Sequence, residues 1–142
     1  DLLIVEGETS RSGVGNDLFD GAKSIQRIIC PSRNAFSKLE AIKQAFREYA
    51  DNRLILTMLG PTAKVLVYDL VQEGYRALDI GHIDSEYEWF QMGATRKVKL
   101  SHKHTAEHNF DQDIEFRDDQ AYDSQIVANL AQEWRLEKEY ES

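Results

Sequence analysis

Residues 54–74, LILTMLGPTAKVLVYDLVQEG, contain a strand, a turn and a helix in immediate succession. The continuous apolar run of residues 54–59 is typical of a strand that is buried on both faces of a sheet. Pro61 suits the first position of a helix, because the N–H that proline lacks would be unpaired there. Apolar residues then recur at helical spacing, and Gly74 is a suitable residue to end the helix. This order predicts one strand–helix unit of a parallel sheet.

The same pattern recurs on both sides of this segment. Short apolar runs lie at residues 2–5, 25–30 and 75–80, and each precedes a loop and a helical pattern. The helices are predicted near residues 17–22, from an Asn34 cap to about residue 50, and after Asp84. Alternating strands and helices predict an α/β fold, a Rossmann-like parallel sheet with covering helices in three layers. Residues 2–5 should form a central strand, since so apolar a run needs cover on both faces.

Residues 101–142 differ in composition from the rest of the chain. They hold 4 Lys/Arg and 11 Asp/Glu and so carry most of the net charge of −8. The sequence predicts a domain over residues 1–100, followed by an acidic arm over residues 101–142. That arm should contain a helix that Ser124 caps and that runs to about Tyr140. The chain has no basic stripe, and this excludes nucleic-acid binding as its function.

The apolar runs and the cysteine content bear on the compartment. No run reaches the roughly 18 to 20 residues that span a bilayer, so no transmembrane segment is predicted. Cys30 is the single cysteine and cannot form an internal disulfide, which favours a reducing compartment. We interpret Cys30 as a small buried hydrophobe. Because the chain opens directly on the first apolar run, we expect a segment to precede it.

Polar loops follow all four predicted strands. They cover residues 6–17, 31–34, 60–62 and 81–86, and they hold glycines, hydroxyls, arginines and carboxylates. In an open parallel sheet, ligands bind beyond the carboxyl ends of the strands. We therefore expect the ligand site at this edge of the sheet.

The first of these loops is a candidate phosphate site. Its glycines let the backbone approach a ligand and leave N–H groups that can meet a phosphate. An arginine beside them favours this interpretation, because guanidinium matches phosphate oxygens. Glu6 and Glu8 argue against a phosphate here unless a metal or a sugar hydroxyl lies beside them. Leu18 at the third glycine position excludes a dinucleotide fingerprint. The candidate substrate-binding residues are Glu8, Arg11, Gly13, Gly15, Asn16 and Asp17; the alternative is a structural turn.

Two further turns precede predicted helices. Gly60, Pro61 and Thr62 place a hydroxyl and a helix N-terminus where a diphosphate can bind, with plain helix initiation as the alternative. Asp84 and Glu86 form an Asp-x-Glu pair, which can converge on Mg²⁺ or Mn²⁺ at a strand–helix junction. The alternative is structural, with Asp84 as N-cap and Glu86 in the first turn, where carboxylates favour the helix dipole.

Four motifs taken together resemble one family. They are LIVEGE at residues 3–8 with Ser10 and Arg11, GVGNDLF at 13–19, LGPTA at 59–63 and DIGHIDSEYEW at 79–89. In this order, over about residues 1–100, they are similar to the D-type glycosyltransferase (GT-D) domain, whose members glycosylate serine-rich repeat adhesins in streptococci. The resemblance covers the C-terminal part of that domain. The Phe-Gly-Asp-Gly-Glu stretch of the family's N-terminal half does not occur in this sequence.

The resemblance implies an activity and a set of ligands. It implies transfer of a hexose, such as glucose from UDP-glucose, to a glycan or glycoprotein acceptor in the cytoplasm. Asp84 and Glu86 match the family's Asp-x-Glu motif, which implies a catalytic role for both as ligands of Mn²⁺ or Mg²⁺. The Asp-Gly-Glu of the family's other half is the alternative metal motif, and Glu6, Glu8 and Asp17 are open candidates for a base.

The resemblance also bears on partners and on rival functions. Without the family's N-terminal half, the chain should either self-associate or bind that half as a separate polypeptide. The main alternative function is a truncated, non-catalytic module that binds a nucleotide or another subunit. A third is an unrelated nucleotide-binding module of Rossmann type.

Overall fold

The computed structural model describes residues 1–31, 35–105 and 119–131. Within these ranges, the strands are β1 (Leu2–Gly7), β2 (Ile25–Cys30), β3 (Leu54–Met58), β4 (Ala77–Asp79) and β5 (Ile126–Asn129). The helices are α1 (Leu39–Tyr49), which follows a 3-10 turn at Ala35–Lys38, α2 (Pro61–Gln72), α3 (Ile83–Met92) and α4 (Gln120–Gln125). We call residues 8–24, which connect β1 to β2, the β1 loop.

All strand pairs in the sheet are parallel, and the strand order is β4-β3-β1-β2-β5. Val5 of β1 pairs with Ile28 of β2 on one side and with Thr57 of β3 on the other. The prediction of a central first strand is therefore confirmed. The chain proceeds from β1 to β2 in one direction and from β3 to β4 in the other. Such a reversal opens a crevice at the carboxyl ends of β1 and β3, where α/β proteins bind their ligands.

Alternate side chains of β1 enter two different cores. Leu3 and Val5 face α1 and α2, and they pack in one cluster with the fully buried Phe46 and Leu66. Ile4 faces the opposite side, where it packs with Leu56, Met58 and Phe19 of the β1 loop. On that side, next to β2, Ile29 packs with Tyr122 of α4. The predicted three-layer α/β fold is confirmed. The sheet is the middle layer, and α1 and α2 cover one of its faces. In the described residues the β1 loop and α4 cover the other face.

The two ends of α2 follow the predicted sequence signals. Pro61 is its first residue, and Gly60 before it adopts φ 60° and ψ −140°, a conformation that favours glycine. At the other end Gly74 has φ 93°. The N–H of Tyr75 donates to the carbonyl of Leu70 at 3.0 Å, and that of Gly74 donates to Val71 at 3.1 Å. These two bonds form a Schellman motif, which satisfies the last carbonyls of the helix.

The predicted helix from Ser124 is wrong over residues 126–129, because they form β5 beside β2. The helix at this place is the short α4, which is capped by Asp119 through a bond from the N–H of Tyr122. Residues 17–22 are also not a helix but a succession of turns. The Asn34 cap and residues 132–142 lie outside the described residues.

The boundary that the sequence predicts at residue 100 stays a prediction, and several described residues beyond it are buried. Lys103 and Thr105 are buried, and so are Leu130 and Ala131 after β5. Both described parts of the acidic segment therefore pack with the domain, while residues 106–118 lie outside the described ranges. Cys30 is buried as predicted, and burial, followed by the charge of Glu6, raises the pKa of its thiol to about 12.

In the part of the chain that the structure describes, no helix is both long and apolar enough to cross a membrane.

Candidate functional site

A cleft of about 700 Å³ opens at the carboxyl ends of β1 and β3, where the sequence predicts the ligand site. Its walls come from the β1 loop, the start of α2 and the start of α3. Gly60 and Pro61 line it, together with the polar residues Thr9, Ser10, Ser12, Thr62, Lys64, Asp79, His82, Asp84, Ser85 and His104. The lining is rich in hydroxyls and contains one lysine and two histidines.

The N-terminus of α2 faces this cleft. Gly60 occupies its N-cap position, and among the described residues no side chain caps the helix. The first N–H groups of a helix carry a partial positive charge and are ready donors to an anion. Lys64, one turn further along, is exposed and adds a full positive charge to the same wall. This wall is suited to bind a diphosphate.

Asp84, near the start of α3, cross-links the two sides of the cleft. It is 6% exposed. Its Oδ1 accepts the N–H of Gly13 at 2.7 Å and the Nδ2 of Asn16 at 3.1 Å. Its Oδ2 accepts the Nζ of Lys103 at 3.0 Å. The Asp84 carboxylate therefore binds the β1 loop and a buried cation at the same time.

Asp84 and Glu86 do not meet, so the prediction that they converge is wrong. Both lie inside α3, two residues apart, and at 3.6 residues per turn their side chains point about 160° apart around the helix axis. Asp84 is buried and Glu86 is exposed. Asp84 shares two hydrogen-bond donors with Glu88 instead. Glu88 accepts from Lys103 at 3.2 Å and from Asn16 at 2.7 Å.

This geometry does not fit a divalent ion held by the Asp-x-Glu pair. The two oxygens of Asp84 already accept from Lys103, Gly13 and Asn16, and Glu86 is directed elsewhere. Over residues 1–31, 35–105 and 119–131, no three His, Cys, Asp or Glu side chains are grouped as a metal site would require.

The glycines of the β1 loop serve its own turns. Gly13 has φ 78°, and a Cβ added there would lie 2.6 Å from Cδ2 of Phe19. Its N–H donates to Asp84, so it is not directed at a phosphate. Gly15 has φ 79° with open space around it. Both positions need glycine because their backbone is left-handed.

Arg11 lies on the face of the sheet that α4 covers, and it does not line the cleft. Its guanidinium sits 4.5 Å from the centre of the Tyr122 ring, and the guanidinium of Arg27 sits 4.9 Å from the same centre. Cation–π contacts of this kind are strongest when they are desolvated, and Arg11 is only 9% exposed. In this structure Arg11 packs against Tyr122, and its predicted phosphate contact stays a prediction.

Glu6, an open candidate for a base, is held in a buried ion pair. It is fully buried, and its Oε1 accepts Nη1 of Arg27 at 2.7 Å. Its Oε2 accepts the N–H of Ser12 at 2.9 Å. Asp17 is likewise engaged, since it accepts from the hydroxyl of Tyr87 and from Gln91. The bond from Tyr87 lowers the pKa of Asp17.

The family model for the GT-D glycosyltransferase fold matches residues 1–108. The chain belongs to the GT-D fold family. The glycosyl transferase Gly of Streptococcus gordonii is 92% identical over 133 residues, which cover 94% of this chain and 20% of that protein. Glycosyltransferase GlyD of Streptococcus pneumoniae serotype 4 is 72% identical over 130 residues, which cover 92% of this chain and 16% of that protein.

Solved structures agree with this assignment. A structure described as a new glycosyltransferase from Streptococcus sanguinis is 94% identical, with a TM-score of 0.91 over 92% of this chain and 49% of that chain. A second, described as having a distinct glycosyltransferase fold, is 64% identical, with a TM-score of 0.90 over 92% of this chain and 47% of that chain. This GT-D chain thus spans about half of the solved chains and a fifth or less of the curated relatives.

The GT-D cleft brings together only some of the predicted site residues. Gly60, Pro61, Thr62 and Asp84 line it. The others lie outside its lining: Glu8, Arg11, Gly13, Gly15, Asn16, Asp17 and Glu86. Sequence reasoning missed Lys64 and Lys103. Lys64 had a local signal, because it follows the predicted turn by two residues. Lys103 had none, since tertiary contacts bring it to the site.

Proposed function

We propose that this chain binds the nucleoside diphosphate of a UDP-sugar in the cleft and serves transfer of a hexose to a glycan or glycoprotein acceptor. The main support is the N-terminus of α2, which has no side-chain cap in the described residues and faces a cleft at the switch point with Lys64 beside it. Glucose from UDP-glucose is the first donor to test. The relatives named as glycosyltransferases support the reaction class.

In this proposal the walls of the cleft have different tasks. The N–H and the hydroxyl of Thr62, in the first turn of α2, bind the diphosphate, and Lys64 balances its charge. On the opposite wall, Ser10 offers a hydrogen bond to a hydroxyl group of the donor. Glu6 is unsuited to act as a base, because the ion pair with Arg27 occupies it. We assign no base.

Mn²⁺ or Mg²⁺ remains a prediction from the family resemblance, and Asp84 and Glu86, as they lie in α3, do not fit such an ion. We expect calorimetric titration to detect UDP binding, and we expect Glu86→Ala to bind UDP as the unaltered chain does, with or without Mn²⁺. Glu86 is exposed, so its loss should leave the fold intact. A Mn²⁺ dependence that disappears in Glu86→Ala would restore the Asp-x-Glu pair as a metal site. Absence of UDP binding by the unaltered chain contradicts the proposed function.

A non-catalytic module is the second candidate. The two candidates differ in turnover. UDP binding with neither hexose transfer nor hydrolysis of the UDP-sugar identifies the module. We also propose a cytoplasmic setting, consistent with the single, buried Cys30.

An apolar surface at the β4 edge supports a polypeptide partner. It consists of Val65, Tyr68 and Val71 on the outer face of α2, which are 39%, 67% and 49% exposed. β4 is an edge strand, and apolar edges favour pairing with another chain. We propose that this surface binds a second copy or the remaining half of the GT-D domain.

Light scattering tests this surface. The apparent mass of the chain should rise with concentration, or on addition of the other half of the Streptococcus sanguinis protein. Tyr68→Glu should abolish the rise, because it places a charge at the centre of the surface. A constant monomer mass under both conditions contradicts this proposal.

A further inference from the structure

Lys103 is a buried cation that joins two elements. It is 5% exposed, and its Nζ donates to the carbonyl of Val14 in the β1 loop at 2.8 Å. The same Nζ bonds to Asp84 at 3.0 Å and to Glu88 at 3.2 Å, both on α3. A buried lysine is retained only when it is well paired, and here three acceptors from two elements converge on it.

Hydrogen bonds also hold in place the segment that carries Lys103. The N–H of Leu100 donates to Oγ1 of Thr105 at 2.6 Å, which closes residues 100–105 on themselves. The N–H of His104 donates to the carbonyl of Thr9 at 2.7 Å, which ties this segment to the β1 loop. Leu100 and Thr105 are buried at its two ends. The ammonium group of Lys103 therefore sits on a fixed support.

The two elements that Lys103 joins are opposite walls of the cleft. The β1 loop contributes Thr9, Ser10 and Ser12, and the start of α3 contributes His82 and Ser85 together with Asp84. Lys103 is not itself among the lining residues. Without its charge, the carboxylates of Asp84 and Glu88 would share the amide of Asn16 with no cation between them. Their mutual repulsion would then loosen the contact of α3 with the loop.

We propose that Lys103 is a positioning residue that fixes the spacing between the β1-loop wall and the α3 wall of the cleft. The part of this inference that concerns ligand affinity rests on the proposed function. A site whose supporting groups are fixed before binding spends less binding free energy on ordering them. The effect of Lys103 should therefore appear in ligand affinity and in the order of both walls, beyond any effect on global stability.

Lys103→Met tests the inference, with Lys103→Arg as the variant that retains the charge. Well below the melting temperature of each variant, Lys103→Met should raise the Kd for UDP about tenfold, and Lys103→Arg should raise it less. Amide hydrogen exchange should speed up at Gly13, whose N–H bonds to Asp84, and at the start of α3. Lys23→Met, which removes an exposed lysine away from the cleft, is the control and should change neither quantity.

The outcomes separate this inference from the proposed function. A lower melting temperature with unchanged UDP affinity and unchanged exchange at Gly13 overturns the positioning role. If the unaltered chain binds no UDP, the proposed function fails, and exchange at Gly13 and α3 still decides the role of Lys103. If Lys103→Met does not fold, Glu88→Gln, which weakens one of the bonds from Lys103 to α3, carries both measurements, and unaltered affinity and exchange in that variant overturn the inference.

Discussion

Glu6→Ala should lower the free energy of unfolding by about 3–5 kcal/mol, the cost of breaking a buried ion pair by removing one partner. Glu6 is fully buried, and Arg27, its partner at 2.7 Å, is 3% exposed. Truncation leaves the guanidinium of Arg27 buried without a carboxylate and leaves the N–H of Ser12 without its acceptor. The free energy of unfolding of a domain of this size is about 5–15 kcal/mol, so the variant loses a large share of its stability.

Urea unfolding measured by circular dichroism gives this free energy, and a surface pair provides the control. Arg47 and Glu73 lie 3.1 Å apart, but their side chains are 45% and 39% exposed. Arg47→Ala should therefore cost less than about 1 kcal/mol, because water solvates the remaining charge. Equal losses for Glu6→Ala and Arg47→Ala would show that water already reaches the pair of Glu6 and Arg27.

The elements that the sequence predicts correctly are those with local signals. β1 is a continuous apolar run, and Pro61 and Gly74 bound α2 by backbone preferences that do not depend on the rest of the chain. β5 fails for the opposite reason. Ile126 and Val127 suit an amphipathic helix and a strand equally, and the edge of β2 selects the strand. That edge is almost 100 residues away in the sequence, so no local pattern reveals it.

The predicted site residues also separate into those with local sequence signals and those that depend on distant contacts. Gly60, Pro61 and Thr62 line the cleft as predicted, because a strand–turn–helix unit always presents its turn at the carboxyl edge of the sheet. Asp84 and Glu86 depend on the residue at which α3 begins. His82 is the N-cap, so both carboxylates fall inside the helix and point apart. Arg11 takes Tyr122 as its neighbour, a contact across more than 100 residues.

Lys64→Glu should raise the Kd for UDP roughly 10- to 100-fold, because it places a negative charge beside the α2 N-terminus proposed to bind the diphosphate. The loss should be largest at low ionic strength, since salt screens an exposed charge such as that of Lys64. Lys23→Glu makes the same change in net charge at a position away from the cleft and should leave the Kd almost unchanged. Calorimetric titration of both variants at two salt concentrations measures the difference. Equal losses in both would indicate only the overall field of an acidic chain, and no loss in Lys64→Glu would exclude the α2 terminus as the diphosphate site.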